Sequence, residues 1–169
     1  MSGAEAWLGG PVEGVPPLLM PVAHALIQTV TDVRRAAADL TTDELWARPG
    51  GVAAVGFHLR HIAGSTDRLL TYARGVALTP DQRAAIELEG VPGTPPSVEA
   101  LLAAVRREVD AALDVLRGTP ADGLLDFRGV GKAQRPSDVI GLLSHAALHA
   151  QRHAGQVITT VKLMRGQAR

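Results

Sequence analysis

Apolar positions recur every three or four residues through four long stretches of the chain. The first stripe is Leu18, Leu19, Val22, Ala25, Leu26, Thr29, Val30, Val33, Ala36, Ala37 and Leu40, which has the width of a core-facing helix. Pro16 and Pro17 suit its entry, and Pro21 is tolerable in its first turn. The second stretch is expected between Val52 and Gly75, with Ala54, Phe57, His61, Ile62, Ser65, Leu69 and Tyr72 on its stripe. Ser97 opens the third as its cap, with Val98, Leu101, Leu102, Val105, Val109, Ala112, Leu113 and Leu116 facing inward before Gly118 and Pro120. For the fourth, Ser137 is the expected cap and Asp138 suits the first turn. Leu142, Ala146, Val157 and Met164 mark its stripe as it runs to about Arg165.

Shorter elements lie between these helices. Thr41 with Glu44, and Thr79 with Pro80 and Gln82, spell two capping boxes; each predicts a short helix, one ending before Pro49 and one running to about Leu88. Residues 90–96 read as a Gly and Pro loop, and 119–135 as a crossover loop. Nothing alternates convincingly with strand periodicity. The pattern predicts an all-α fold, a four-helix bundle with long crossover connections and short extra helices. Residues 16–169 make its single domain, behind an irregular arm over residues 1–15 that is at best partly ordered.

A length of 169 residues suits one domain with one core. Seventeen basic and seventeen acidic residues balance, and aromatic residues make up only 3%. Bulk charge and base stacking therefore give no support for a nucleic-acid partner. No long apolar run or signal-like leader is visible, so no membrane partner is expected and the cytoplasm is the expected location. Zero cysteines remove disulfides, thiolate ligands and a protein thiol nucleophile.

Histidine is where the chemistry concentrates. Five of the six fall in two groups: His58 and His61 in the second long helix, then His145, His149 and His153 in the fourth. Four residues of α-helix turn roughly 400° and rise about 6 Å, so the second group forms a row on one face. Its helical register with Leu142, Ala146 and Val157 points that row toward the bundle interior. Buried imidazoles need partners, and a divalent cation bound by two of the row and one histidine of a facing helix supplies one. His61, on its own apolar stripe, is the natural third ligand, with His58 in reserve. Three neutral imidazoles suit Zn, Ni, Co or Fe and leave positions open for water or substrate. The plainer reading keeps such histidines as core groups bonded to backbone or carboxylates, with no metal, because spacing alone does not show that the two helices face each other.

Two segments also carry a resemblance. "FHLRHIAGSTDRLL" and "HAALHAQRHAGQV" are similar to the motifs of the DinB-like family of small four-helix-bundle proteins. The proline-punctuated "LTTDELWARPGG" and "ARGVALTPDQ" resemble that family too, and the likeness extends over nearly the whole chain. The resemblance implies His61, His149 and His153 as metal ligands, with His58, His145 and Gln156 as groups near them. Ala154 stands where relatives often have arginine, so a basic group is missing there.

The same resemblance implies one divalent ion, Zn or Ni, and a homodimer. Characterised relatives include transferases that join a low-molecular-weight thiol, such as bacillithiol or mycothiol, to an electrophile. The expected function is thus a metal-dependent thiol S-transferase acting on a small-molecule thiol and an electrophilic substrate; with no cysteine in the chain, the sulfur would come from a cosubstrate. A metal-dependent hydrolase uses the same ligands, although no HExxH glutamate is present. A noncatalytic metal-binding or interaction bundle is the alternative from another class. No catalytic side chain is assigned. Arg60, Asp67 and Arg68 read as solvated charges, Trp46 and Tyr72 as packing residues, and His24 as structural.

Overall fold

The computed structural model describes residues 4–92 and 96–167. Parts of the expected N-terminal arm (1–3) and of the Gly and Pro loop (93–95) lie outside the described residues, as do 168–169. The four long helices are α1 (Met20–Ala37), α3 (Val55–Ala73), α5 (Val98–Gly118) and α6 (Val139–Gln167). Two short ones, α2 (Thr42–Trp46) and α4 (Pro80–Leu88), lie in the connections. Each long helix packs on two others, α3 and α1 both lying against α6 and α5. The bundle is therefore all-α apart from one small hairpin.

Local chemistry sets the helix starts. Thr41 and Thr79 each accept a bond from the backbone of the third helical residue, and Glu44 and Gln82 bond back to the cap, completing both boxes. Ser97 caps α5 through the Ala100 amide. At α6 the expected cap is corrected. Asp138, rather than Ser137, accepts the Gly141 amide at 2.7 Å, because α6 begins at Val139, directly after the strand that contains both residues.

That strand is the main departure in the fold. Residues 119–135, expected as a loop, contain β1 (Phe127–Val130), which pairs antiparallel with β2 (Arg135–Asp138). The hairpin is four residues a side, contains Pro136 and has no fully buried residue and no alternation of exposure along either strand, so it lacks the pattern by which strands are read. Its turn places Gly131 and Gln134 at positive φ.

The N-terminal arm is also more ordered than expected. Residues Ala6–Gly9 form a single 3-10 turn, Ala6 N donates to Gln28 Oε1 at 2.8 Å, and Val15 is buried in the core. His24 Nε2 lies 2.9 Å from the Gly10 carbonyl oxygen, which makes it a tie between arm and α1. Polar hooks, rather than apolar periodicity, dock this segment.

Core packing follows the expected stripes on α1 and α5 and shifts on α3. Leu26, Val33, Val105, Val109 and Leu116 are buried as expected, as are Ala54 just before α3 and Ile62 and Ser65 within it; α3 also buries Val55, Leu59 and Leu70. Phe57, His61, Leu69 and Tyr72 are half-buried at the edge of that face. The inward face of α3 is also unusually polar: His58, Ser65, Thr66, Arg68 and Thr71 are all buried. Among the described residues, no helix is long and apolar enough to cross a membrane.

Candidate metal site

The histidines of α3 and α6 meet across the bundle. His58 Nδ1 lies 2.9 Å from His153 Nδ1, and His61 Nε2 lies 2.8 Å from His149 Nε2. The later residue of one helix faces the earlier residue of the other, so α3 and α6 run antiparallel. One ring nitrogen each from His61, His149 and His153 falls within 4.8 Å of the others. Three nitrogens bound to one cation at roughly 2.0–2.1 Å stand about 2.9 Å apart at right angles and about 3.3 Å apart in a tetrahedron. His61 and His149 already stand at that spacing, with His153 inside the 4.8 Å limit.

His145 and Gln156 are exposed. The His145 ring stacks on His149 with centroids 5.5 Å apart. The row therefore does not point squarely inward as the spacing implied. It lies along the flank of α6, because the buried face is taken by Leu142, Leu143, Ala146, Ala147, Ala150, Ala154 and Val157. Each four-residue step also turns about 40° further round the helix, which carries His149 and His153 into half-buried positions and leaves His145 outside. Phe57 closes the other side, stacked on His61 at 5.4 Å.

Burial keeps three of these imidazoles neutral. His58, His149 and His153 are each pushed down to about 4, first by burial and then by the neighbouring His61. Neutral rings retain the lone pairs that a cation needs. His149 Nδ1 is buried with no hydrogen-bond partner among the described residues. The donor set, its spacing and its charge state all fit a divalent cation.

Two residues at this site were not legible as such. Glu89, directly after α4, is buried, and its Oε2 accepts from His61 Nδ1 at 2.6 Å. Its Oε1 lies 2.9 Å from Arg68 Nη2. Burial raises the Glu89 carboxyl, but the bonds from His61 and Arg68 and the Arg68 charge outweigh it and hold the group below its ordinary value. Arg68 is thus corrected from a solvated charge to a buried ion-pair partner. The face assigned to α3 was rotated by about one position, which put Arg68 outside. Nothing in the local pattern around Glu89 separates it from Glu87, which is exposed.

Arg60 and Asp67 are likewise engaged. The Arg60 guanidinium sits 4.7 Å over the Trp46 ring and donates to the Leu88 and Val91 carbonyls. This braces the segment that carries Glu89. Asp67 accepts from Gln82 Nε2 at 2.8 Å, tying α4 to α3. The carboxylate behind His61 is therefore held from both sides of the α4 connection.

No curated protein matches this sequence. The family profile described as the DinB superfamily matches residues 25–157, a span that begins in α1, ends in α6 and contains all five clustered histidines. That match covers more than three-quarters of the 169 residues, and together with the helical architecture it shows that the chain belongs to the DinB superfamily.

Proposed function

We propose that this protein is a metal-dependent thiol S-transferase, with His61, His149 and His153 holding one divalent ion, Zn or Ni. The observation that carries the reading is the three-histidine cluster with a buried carboxylate behind one ligand. A divalent cation held there supplies Lewis acidity, which lowers the pKa of a bound thiol. The cosubstrate thiol would give its proton to solvent and its sulfur would bond to an electrophilic carbon, which would either release its leaving group or pass electrons to an atom that takes up a proton from solvent. The chain has no cysteine, so the sulfur belongs to a cosubstrate.

The chain's own groups favour transfer over hydrolysis. Glu89 has one oxygen hydrogen-bonded to His61 and the other at ion-pair distance from Arg68, and these partners hold its carboxyl below the ordinary value, so it orients a ligand and is a weak base toward water. An apolar cleft of about 470 Å³ reaches Glu89, between Ala63, Leu88, Val91 and Leu101, with Arg60 on its wall.

Elemental analysis of untagged protein beside His149→Ala tests the metal. About one Zn or Ni per chain, absent from the variant, is expected. Thiol consumption with 1-chloro-2,4-dinitrobenzene, using the metal-loaded protein and a panel of small thiols, tests the reaction. Ester cleavage without any thiol, and no thiol consumption, would replace the transferase with a hydrolase.

A further inference from the structure

Glu89 presents two oxygens to two donors. His61 Nδ1 stands 2.6 Å from Oε2 and Arg68 Nη2 stands 2.9 Å from Oε1, with Glu89 6% and Arg68 8% exposed. We infer that Arg68 and Glu89 are a positioning pair that locks His61 in the tautomer carrying its hydrogen on Nδ1, which keeps the Nε2 lone pair turned toward His149. This rests on the metal reading above.

The argument is one of donors and acceptors. An ionised carboxylate can only accept, so the hydrogen in the His61 contact belongs to the ring. In the neutral ring Nε2 of His61 is then bare, and it is this atom that lies 2.8 Å from His149 Nε2. Arg68 has a separate task. A carboxylate this buried needs a compensating charge, and the guanidinium supplies it while claiming the second oxygen. Gly64 makes room for the pair, since a Cβ there would stand 2.8 Å from both Arg68 Nη1 and Glu89 Oε1. A carboxylate or carbonyl behind a ligating histidine orients the ring and raises its basicity, and its loss commonly weakens metal binding 10- to 100-fold.

An isosteric amide separates this role from simple packing. In Glu89→Gln one oxygen faces two donors, and the charged Arg68 claims it. The amide NH₂ then faces His61 Nδ1 and favours the opposite tautomer, with the hydrogen on Nε2. Adding Arg68→Met frees the amide to turn its oxygen to His61 and restores the original tautomer. The second substitution therefore rescues the first.

The test is Zn affinity by chelator competition for wild type, Glu89→Gln and Arg68→Met/Glu89→Gln, paired with ¹⁵N NMR of the His61 ring in metal-free protein. We expect a loss of about 10- to 100-fold in Glu89→Gln, recovery of most of it in the double variant, and an Nδ1–H to Nε2–H change that follows the same order. An Nδ1–H ring in all three proteins, or a double variant binding no better than Glu89→Gln, would overturn the pair's role. Wild type that refuses Zn would sink the metal reading alone, because the ring tautomers still decide the role of Arg68 and Glu89. Measuring all three proteins well below each one's own melting temperature keeps a folding defect from imitating the result.

Discussion

Glu89 Oε2 lies 2.6 Å from His61 Nδ1 across 28 residues of sequence, joining the end of α4 to the middle of α3. The contact makes a short peripheral helix part of the site, since α4 carries no buried residue of its own. Capping at Thr79 and bracing by Arg60 thus act on the geometry of a ligand.

Gly64→Ala tests that coupling from the opposite side. The new methyl meets the far ends of two side chains held by each other. Helix propensity favours alanine by about 1 kcal/mol, while overpacking costs about 1–3 kcal/mol. Stability in denaturant is expected to change by roughly 1–2 kcal/mol at most by that balance, while Zn affinity falls at least tenfold. Unchanged affinity would show that the pair relaxes without moving His61.

Metal should stabilise the native state alone. Zn at 100 times its dissociation constant adds about 2.7 kcal/mol to the stability, read as a rise in melting temperature that a chelator reverses. His153→Ala is expected to lose that response, because it removes one of the three donors that come within 4.8 Å.

Metal-free protein should weaken in mild acid. His58, His149 and His153 are held at about 4 in the fold by burial, against an ordinary value of 6.5. Between those values the unfolded chain binds more protons, so stability rises with pH through that window and is full above about 6.5. Glu89, held below its ordinary 4.5, withdraws its contribution as pH drops further. Urea midpoints at pH 7.5, 6, 5 and 4 should fall in sequence; a flat series between 7.5 and 5 would contradict neutral, buried rings.

Asp138 carries the start of the helix that bears two ligands. Asp138→Ala removes the bond from Gly141 N and is expected to cost about 0.5–2 kcal/mol in denaturant melts. Ser137→Ala, at the position the sequence suggested, should cost less.

Much of the bundle was legible because helix periodicity and caps are local properties. The α1 and α5 stripes, both capping boxes and the cap at Ser97 depend on residues within a few positions of one another. The histidine row of α6 is equally local, since four-residue spacing fixes a common side. The hairpin was not legible because an edge ribbon buries too little for its pattern to show. On α3 the assigned face was turned by one position, because a helix whose buried side includes His58, Thr66 and Arg68 carries a weak apolar signal.

By itself, then, the sequence determined four amphipathic helices, the caps at Thr41, Thr79 and Ser97, an absence of thiols and two groups of histidines at helical spacing. Only the tertiary structure decided that α3 and α6 pack antiparallel with those groups opposed, that His145 lies outside, and that Glu89 and Arg68 stand behind His61. The physical reason is range. Periodicity records which side of a helix prefers burial, whereas a contact across 28 or 88 residues depends on how the helices pack together.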